Sequence, residues 1–403
     1  MKSTNMNFGF LKNTSSLYNK NFSLLFVLEF TIFVVFYMLL PIVPLYILHI
    51  GGSQSMIGWI LGLAGPLGAL FVPLFGLMVD QWSQKKTIAL GMLISLLSSL
   101  TLIFISSPWL TLIPALLRRL GGTASGTATR TMVIRIAPQS RRGEAMTNFA
   151  TSHNLAIAIG PSIGIGILSG SGFVSVFISA SLLMIIGFTF LIPIQKVISK
   201  DVPPPSTKSS SSIFNSFKHT FVKEAWAPAA ATFFLSAAYM SAITFISVLC
   251  KTRGIDNYSM FFTVYAIVVI VGRLTTGKLS DKYGRSVILY PSLILGGVCM
   301  ILLANAFTLS MLIAAAIALG LGFGTGNPML QVIAADWTPS DKQGRSMAML
   351  LGSFSFGTSA GTIFIGEISH LFNFQVAFMG MSIMMLFALL VSIIGFKLNN
   401  AKR

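Results

Sequence analysis

Apolar runs of about 18 residues or more, each long enough to cross a bilayer as a helix, recur along almost the whole chain. Cut at Gly, Pro and charged clusters, they predict twelve helices near 22–48, 54–79, 87–106, 109–134, 145–168, 173–194, 226–250, 258–278, 286–305, 308–334, 345–369 and 373–396. The runs are continuous rather than alternating, which excludes a transmembrane barrel. One stretch, 195–225, breaks the pattern. There Asp201-Val202-Pro203-Pro204-Pro205 leads into Ser, Thr and Lys and then a short amphipathic segment, Ile213 to Val222. Triple proline and serines keep such a stretch hydrated, and the amphipathic piece is expected on the inner membrane face or as a tether. The expected organisation is a tail at 1–21, a six-helix bundle at 22–194, a linker at 195–225, a six-helix bundle at 226–396 and a tail at 397–403. The first 21 residues are polar, with Lys2, Lys12 and Lys20. They lack an apolar core with a small-residue cleavage site, so a cytoplasmic tail is expected rather than a signal peptide.

Composition agrees with that pattern. Of 403 residues, 54% are apolar and 9% charged, with a mean hydropathy of +0.82. Soluble domains are about one quarter charged, so the chain is integral to a membrane and disorder is excluded. Cys250 and Cys299 lie inside apolar runs, which points to packing rather than a disulfide or metal cluster. A net charge of +17 would suggest nucleic acid in a soluble protein. The placement of the charges gives another reading. The odd-numbered connections, near 49–53, 107–108, 169–172, 251–257, 306–307 and 370–372, hold only Lys251 and Arg253. The even-numbered ones and both tails hold nearly all the rest, including Lys85, Lys86, Arg141, Arg142, Lys282, Arg285, Lys342 and Arg345. Basic residues stay on the cytoplasmic side, so both termini are expected inside. The expected location is the plasma or inner membrane, multi-pass, as a monomer in contact with lipid and with no nucleic-acid partner.

Two motifs each occur once per half. Gly76 to Asp80 follows the second run and Gly277 to Asp281 the eighth; Pro138, Gly143 and Met146 follow the fourth, and Pro339, Gly344 and Met347 the tenth. Every pair is 201 positions apart (277 − 76, 281 − 80, 339 − 138, 344 − 143, 347 − 146). One constant offset across two separate loops predicts two like-oriented repeats related by a pseudo-twofold axis. Parallel repeats with a substrate site at their interface are a transporter architecture.

Gly277-Lys278-Leu279-Ser280-Asp281-Lys282-Tyr283-Gly284-Arg285 resembles the loop signature of the major facilitator superfamily, Gly-x-x-x-Asp-Arg/Lys-x-Gly-Arg. Further elements resemble its twelve-span drug–proton antiporter branch. Pro41-Ile42-Val43-Pro44 is similar to the Pro-x-x-Pro element of that branch. Arg118 to Gly122 is similar to its Arg-x-x-Gln-Gly element, with Gly121 in place of Gln. Gly160-Pro161-Ser162-Ile163-Gly164 is similar to the Gly-Pro-x-x-Gly element of its exporters. The resemblance implies an all-α fold of two six-helix bundles and alternating access driven by a proton gradient, with no cofactor.

Physical roles follow for these residues. Gly160, Pro161 and Gly164, with Gly352, Gly357 and Gly361, provide small-residue faces on spans five and eleven. Those two spans are expected to form an interface between halves that opens and closes, or simply to pack closely. At the loops, Asp281, Lys282 and Arg285 accompany Asp336; in the first half Asp80 matches Asp281, whereas Gln81, Gln84 and Arg135 stand in place of Lys282, Arg285 and Asp336. The expected ion pairs are Arg285–Asp336 and, with swapped polarity, Asp80–Arg135; a degenerate first copy is the alternative.

Charged residues inside the hydrocarbon region are costly unless they face a cavity or a partner. Glu29 is the expected protonation site, with Arg118 as the neighbour that competes for it; a structural Glu29–Arg118 ion pair is the alternative. Arg119, about 100° around the helix, is not expected to share Arg118's bearing, so one of the two should brace a neighbouring span. Glu367 is read as interfacial rather than as a relay, and His153 as a satisfied buried histidine. Tyr37, Arg119, His153, Ser236, Tyr239, Asn327 and Gln331 are candidate cavity residues. No His-Glu-x-x-His, no Gly-x-Ser-x-Gly and no Gly-x4-Gly-Lys-Ser/Thr occurs, which argues against an enzyme and against direct ATP drive. The leading expectation is proton-driven efflux of a small organic or amphipathic compound. The alternatives are proton symport of a sugar, organic acid or metal-chelating metabolite, or a sensor or enzyme on a transporter-like fold.

Overall fold

The computed structural model describes residues 20–137, 141–194 and 222–400. Residues 1–19, the amphipathic segment and most of the expected linker, Pro138 of the repeat motif, and 401–403 lie outside the described residues. Helix occupies every one of the predicted apolar runs. The first run holds α1 (Lys20–Leu39) and α2 (Ile42–His49); the second holds α3 (Gln54–Leu70) and α4 (Val72–Gln81). Then come α5 (Gln84–Phe104), α6 (Leu112–Ile136) and α7 (Arg142–Leu191). After the undescribed stretch follow α8 (Trp226–Arg253), α9 (Ser259–Tyr283), α10 (Arg285–Ala304), α11 (Leu309–Trp337), α12 (Gln343–Leu371) and α13 (Phe374–Asn400).

The breaks have local causes. Pro41 lacks a backbone donor and interrupts the ladder between α1 and α2. Ser83 caps α5 by accepting from Lys86 N at 3.2 Å. Gly254, at φ +65, ends α8 in the left-handed conformation that glycine adopts without strain. Gly172, at φ +78 and ψ −179, breaks α7 into the two predicted runs on either side. Among the described residues, 8 helical stretches are long and apolar enough to cross a membrane. The difference from twelve has physical reasons. Two runs merge into α7, the second is divided at Phe71, and α6 carries Arg118, Arg119, Arg130 and Arg135, while the side chains of residues 273–278 in α9 lie outside the described residues.

Helix boundaries recur at the repeat spacing. α5 begins at 84 and α10 at 285; α6 ends at 136 and α11 at 337, both 201 apart (285 − 84, 337 − 136). Packing separates two sets. In the first, α1 packs on α7 and α5 on α6; in the second, α8 packs on α12 and α13, and α10 on α11. Three substantial contacts join the sets: α3 with α12, α7 with α9, and α2 with α8. Their closest atoms all lie toward one end of the molecule, the end that carries the turns at 50–53, 254–258 and 372–373. Ser162 Oγ meets Thr263 Oγ1 at 3.2 Å, and Ser247 donates to the Pro41 carbonyl at 2.8 Å. By contrast α4, the continuation of α3 toward the other end, packs on α6 and α5 and makes no substantial contact with the second set among the described residues.

The expected interface between spans five and eleven is not what joins the sets. Gly160 and Gly164 face α1 instead. A Cβ at 160 would lie 2.9 Å from both the Val34 carbonyl and Tyr37, and one at 164 would lie 2.5 Å from the Met38 carbonyl. Gly357 and Gly361 face the α8 backbone at Phe233 and Ala237. Small residues record that two backbones meet closely, not which backbone arrives. The seam between the sets is built on α3. Gly58, Gly62 and Gly65 lie against Gly366, Ile363 and Ser359 of α12, and a Cβ at Gly366 would lie 2.7 Å from Gly58 Cα.

Arg253, one of the two basic residues in an odd-numbered connection, has a structural use. Its guanidinium donates to the carbonyls of Leu303 (3.1 Å), Ala304 (2.8 Å) and Ala306 (2.7 Å), satisfying the end of α10.

Candidate functional site

A cavity of about 60 Å³ lies between the two sets, roughly midway along the helices. Its apolar walls include Phe36, Leu40, Leu61, Met240 and Phe354. Polar groups reach it from three helices: Arg118 and Arg119 from α6, Thr244 from α8, and Thr358, Ser359 and Thr362 from α12. The two adjacent arginines both line it, contrary to the expectation from their 100° separation. Long, flexible stems let both guanidinium groups bend into one space. Arg118 donates to the Phe36 carbonyl at 3.4 Å, with its guanidinium carbon 5.0 Å from the centre of the Phe36 ring. Arg119 lays its stem across Gly68 of α3, where no side chain would fit. Each arginine therefore also braces a neighbouring helix.

Glu29 does not meet Arg118. It is 2% exposed, and its Oε2 accepts from Thr129 of α6 at 2.8 Å. The α1 residue that meets Arg118 is Phe36, seven positions on (36 − 29) and about 10 Å further along the helix. Counting depth from opposite ends fails because the first span is 30 residues long. That is about 45 Å of helix, well beyond a hydrocarbon core of about 30 Å. Glu29 and Thr129 form a separate, buried level below the cavity, toward the end where the two sets part.

At the loops, Arg285 Nε contacts Asp336 Oδ2 at 3.1 Å, and Arg285 also donates to Ser280 Oγ at 2.8 Å. Gly284, at φ +95, makes the turn between α9 and α10 that aims Arg285 at the end of α11. Lys282 Nζ sits 5.1 Å above the Tyr283 ring. The side chains of Asp80 and Asp281, and the surroundings of Gly277, lie outside the described residues; Gly76 is in α4, and among the described residues nothing beyond its own helix backbone lies within 4 Å of where a Cβ would stand. Arg135 closes the last turn of α6. Pro161 sits inside α7 without ending it.

The remaining candidates are brought together only in part. Tyr37 Oη meets His153 Nε2 at 2.8 Å, and Phe33 packs its ring 4.2 Å from that of His153. This cluster ties α1 to α7 beside the cavity rather than lining it. Ser236 donates to the Phe233 and Phe354 carbonyls (3.0 and 3.1 Å), bracing α8 against α12. Tyr239 stacks on Phe323 at 3.6 Å with 6° between planes. Asn327 and Gln331 of α11 are partly buried and do not line the cavity.

Several site residues carried no signal of their own in the sequence. Thr244, Thr358, Ser359 and Thr362 are single hydroxyls among many. Glu367, expected at the membrane interface, lies in the last turns of α12, and its Oε1 accepts from Ser55 Oγ and Trp59 Nε1, both at 2.5 Å, across the α3–α12 seam. The spacing Gly58, Gly62, Gly65, not singled out from the sequence, is a signal that could have pointed to this seam.

The chain-wide match decides the family. The sequence profile of the Major Facilitator Superfamily matches residues 25–304 and 255–403. The chain belongs to this superfamily. It is 25% identical over 382 residues (91% of this chain, 93% of the relative) to a multi-drug resistance efflux pump PmrA homolog of Lactococcus lactis subsp. lactis (strain IL1403). It is also 31% identical over 137 residues (33% of this chain, 34% of the relative) to the class H tetracycline resistance protein of Pasteurella multocida. The crystal structure of the nucleoside transporter NupG shares the fold, with a TM-score of 0.76 at 16% identity, covering 94% of this chain and 99% of that one. This superfamily member is thus a multi-pass membrane transporter, not an enzyme. It departs from the family's Arg-x-x-Gln-Gly element at Gly121, and the packing explains why. A Cβ at 121 would lie 2.6 Å from the Gly91 carbonyl and closer still to Ser95 Oγ, so α5 and α6 meet there with no room for a side chain.

Proposed function

We propose that this transporter exports a small organic, amphipathic compound in exchange for protons, by alternating access in the plasma or inner membrane. In this reading twelve crossings form two six-helix bundles with both termini in the cytoplasm. The α3–α12 seam is then the closed outer gate, and the cavity opens between α4 and the second bundle toward the cytoplasm. The observation that carries efflux is the similarity, over nearly the full length of both chains, to a multidrug efflux pump homologue. An apolar-walled cavity with a few convergent polar groups suits such a cargo.

Glu29 carries the proton. A carboxylate buried among membrane helices is costly as an anion and tolerable as an acid, so its protonation state changes the relative energy of the two bundle arrangements. Thr129 holds the carboxyl in place while the bundles rock. The proton gradient supplies the drive, and the monomer is the working unit.

Everted vesicles containing the protein, loaded with a pH-sensitive dye, test this. Wild type is expected to accumulate amphipathic substrates only while a proton gradient exists, with each substrate pulse releasing protons from the vesicle lumen. Glu29→Gln is expected to reduce this exchange more than tenfold. Accumulation that survives collapse of the gradient, or full proton exchange by Glu29→Gln, rejects the coupling assigned here.

A further inference from the structure

We infer that the cargo of the central cavity is an organic anion, with a carboxylate, sulfonate or phosphate head held between Arg118, Arg119 and Thr244; this rests on the transport reading of that cavity given above. A charge inside the membrane normally has a partner of opposite sign. Here two guanidinium groups line one cavity, and among the described residues no acidic side chain lines it with them. Described carboxylates are engaged elsewhere in the fold. Glu29 is with Thr129, Glu144 with Arg141, Asp336 with Arg285, and Glu367 with Ser55 and Trp59.

A guanidinium offers five donors. Arg118 uses one weakly, at 3.4 Å to a carbonyl. Among the described residues the Arg119 guanidinium makes no hydrogen bond or ion pair. Paired guanidinium forks match the oxygen spacing of carboxylate, sulfonate and phosphate groups.

A second observation points to the same place from the other bundle. Thr244 Oγ1 is fully buried, lines the cavity, and has no hydrogen-bond partner among the described residues. Its neighbours in the cavity wall differ. Thr358, Ser359 and Thr362 donate to carbonyls of their own helix at 2.8, 3.1 and 2.7 Å. A buried hydroxyl left unmatched costs stability, and an oxygen atom of a bound anion satisfies it. The head group would then touch both bundles, two cations from one and a hydroxyl from the other. Phe36, Met240 and Phe354 provide apolar surface for the remainder of the molecule. A cationic cargo would instead meet two like charges at close range.

The test uses the purified full-length protein in phosphatidylcholine nanodiscs. Radiolabelled naphthoate is the probe, and the competitors are naphthalenesulfonate, naphthylmethanol and naphthylmethyl-trimethylammonium. These share one ring system and differ in charge. Naphthoate is expected to bind saturably and to be displaced by the sulfonate. The neutral and cationic analogues should be at least tenfold weaker. This wild-type series needs no variant, so misfolding cannot obscure it. Arg118→Gln and Arg119→Gln should each weaken naphthoate binding tenfold or more, Arg119→Lys less, and Thr244→Val severalfold. Equal or stronger competition by the trimethylammonium compound, or no saturable naphthoate binding, overturns the anion assignment.

Repeating the series in phosphatidylglycerol nanodiscs separates soluble cargo from lipid. Unchanged naphthoate affinity supports the soluble organic anion, whereas its loss assigns the arginines to lipid phosphate and overturns the cargo reading. Proton exchange in everted vesicles is read independently. Cation-selective binding with intact exchange leaves the exporter and removes the anion, and the reverse result removes proton coupling alone.

Discussion

Gly121 and Gly122 are neighbours in a family element, yet they face different constraints. A Cβ at 121 runs into Gly91 and Ser95 of α5, whereas one at 122 meets only Phe36, at 3.8 Å. Gly121→Ala is therefore expected to cost about 1–3 kcal/mol through overpacking, seen as a lowered thermal unfolding midpoint in detergent. Gly122→Ala should leave that midpoint within a degree or two of wild type, since ordinary contact at 3.8 Å needs no rearrangement. Equal destabilisation by the two substitutions would contradict this account of the departure from the family pattern. At the same scale, Glu29, Arg118 and Arg119 stand out in the sequence because charge is rare in these runs. Their partners do not stand out. Thr129 and Phe36 are ordinary residues of a membrane helix, and only the relative placement of α1 and α6 selects them.

The α3–α12 seam belongs to the scale of elements. Its glycines let two helices meet backbone to backbone, and Glu367 clasps Ser55 and Trp59 across it. In lipid, close packing and interhelical hydrogen bonds drive such contacts, because lipid tails are as apolar as the side chains. Gly366→Val should force the seam apart, and Glu367→Ala should loosen it to a lesser degree. Thr362, 2% exposed in α12 beside this seam, reports the change. With Thr362→Cys introduced, a membrane-impermeant thiol reagent added from outside is expected to label the Gly366→Val background at least several-fold faster. Unchanged labelling in that background would show that the seam is not the outer gate. Cys250 and Cys299 are buried and contribute little background.

At the scale of the whole molecule, the substantial contacts between the two sets among the described residues lie toward one end, and the described residues of α4 make no substantial contact with the second set at the other. The alternating access proposed above requires those contacts to break in each cycle. Ser162 and Thr263, whose oxygen atoms are 3.2 Å apart, bridge α7 and α9 at the closed end. A Ser162→Cys, Thr263→Cys variant should cross-link under mild oxidation and lose transport, and a reducing agent should restore it. Transport that persists in the cross-linked protein would mean that this end need not open.

How much was legible follows from what each signal encodes. Hydrophobic runs and the 201-residue repeat are properties of single helices and of chain order, so the runs and the membrane class could be read directly, whereas the breaks at Pro41 and Phe71 inside the first two runs were not. The loop residues Arg285 and Asp336, 51 positions apart, were legible as a pair because Arg285 belongs to the loop motif that opens α10 and Asp336 is an acid in the last turn of α11, at the same end of the bundle. The cavity was not, because its wall is assembled from α1, α3, α6, α8 and α12, whose rotation about their own axes depends on packing. For the same reason the glycines of α7 and α12 were assigned to the wrong partners, and Glu29 was placed beside an arginine that lies about two helical turns away. Local chain chemistry determined which segments enter the membrane. Only the packed structure decided which faces they present to one another, because a side chain's neighbours across a helix interface are set by tertiary distance rather than by sequence spacing.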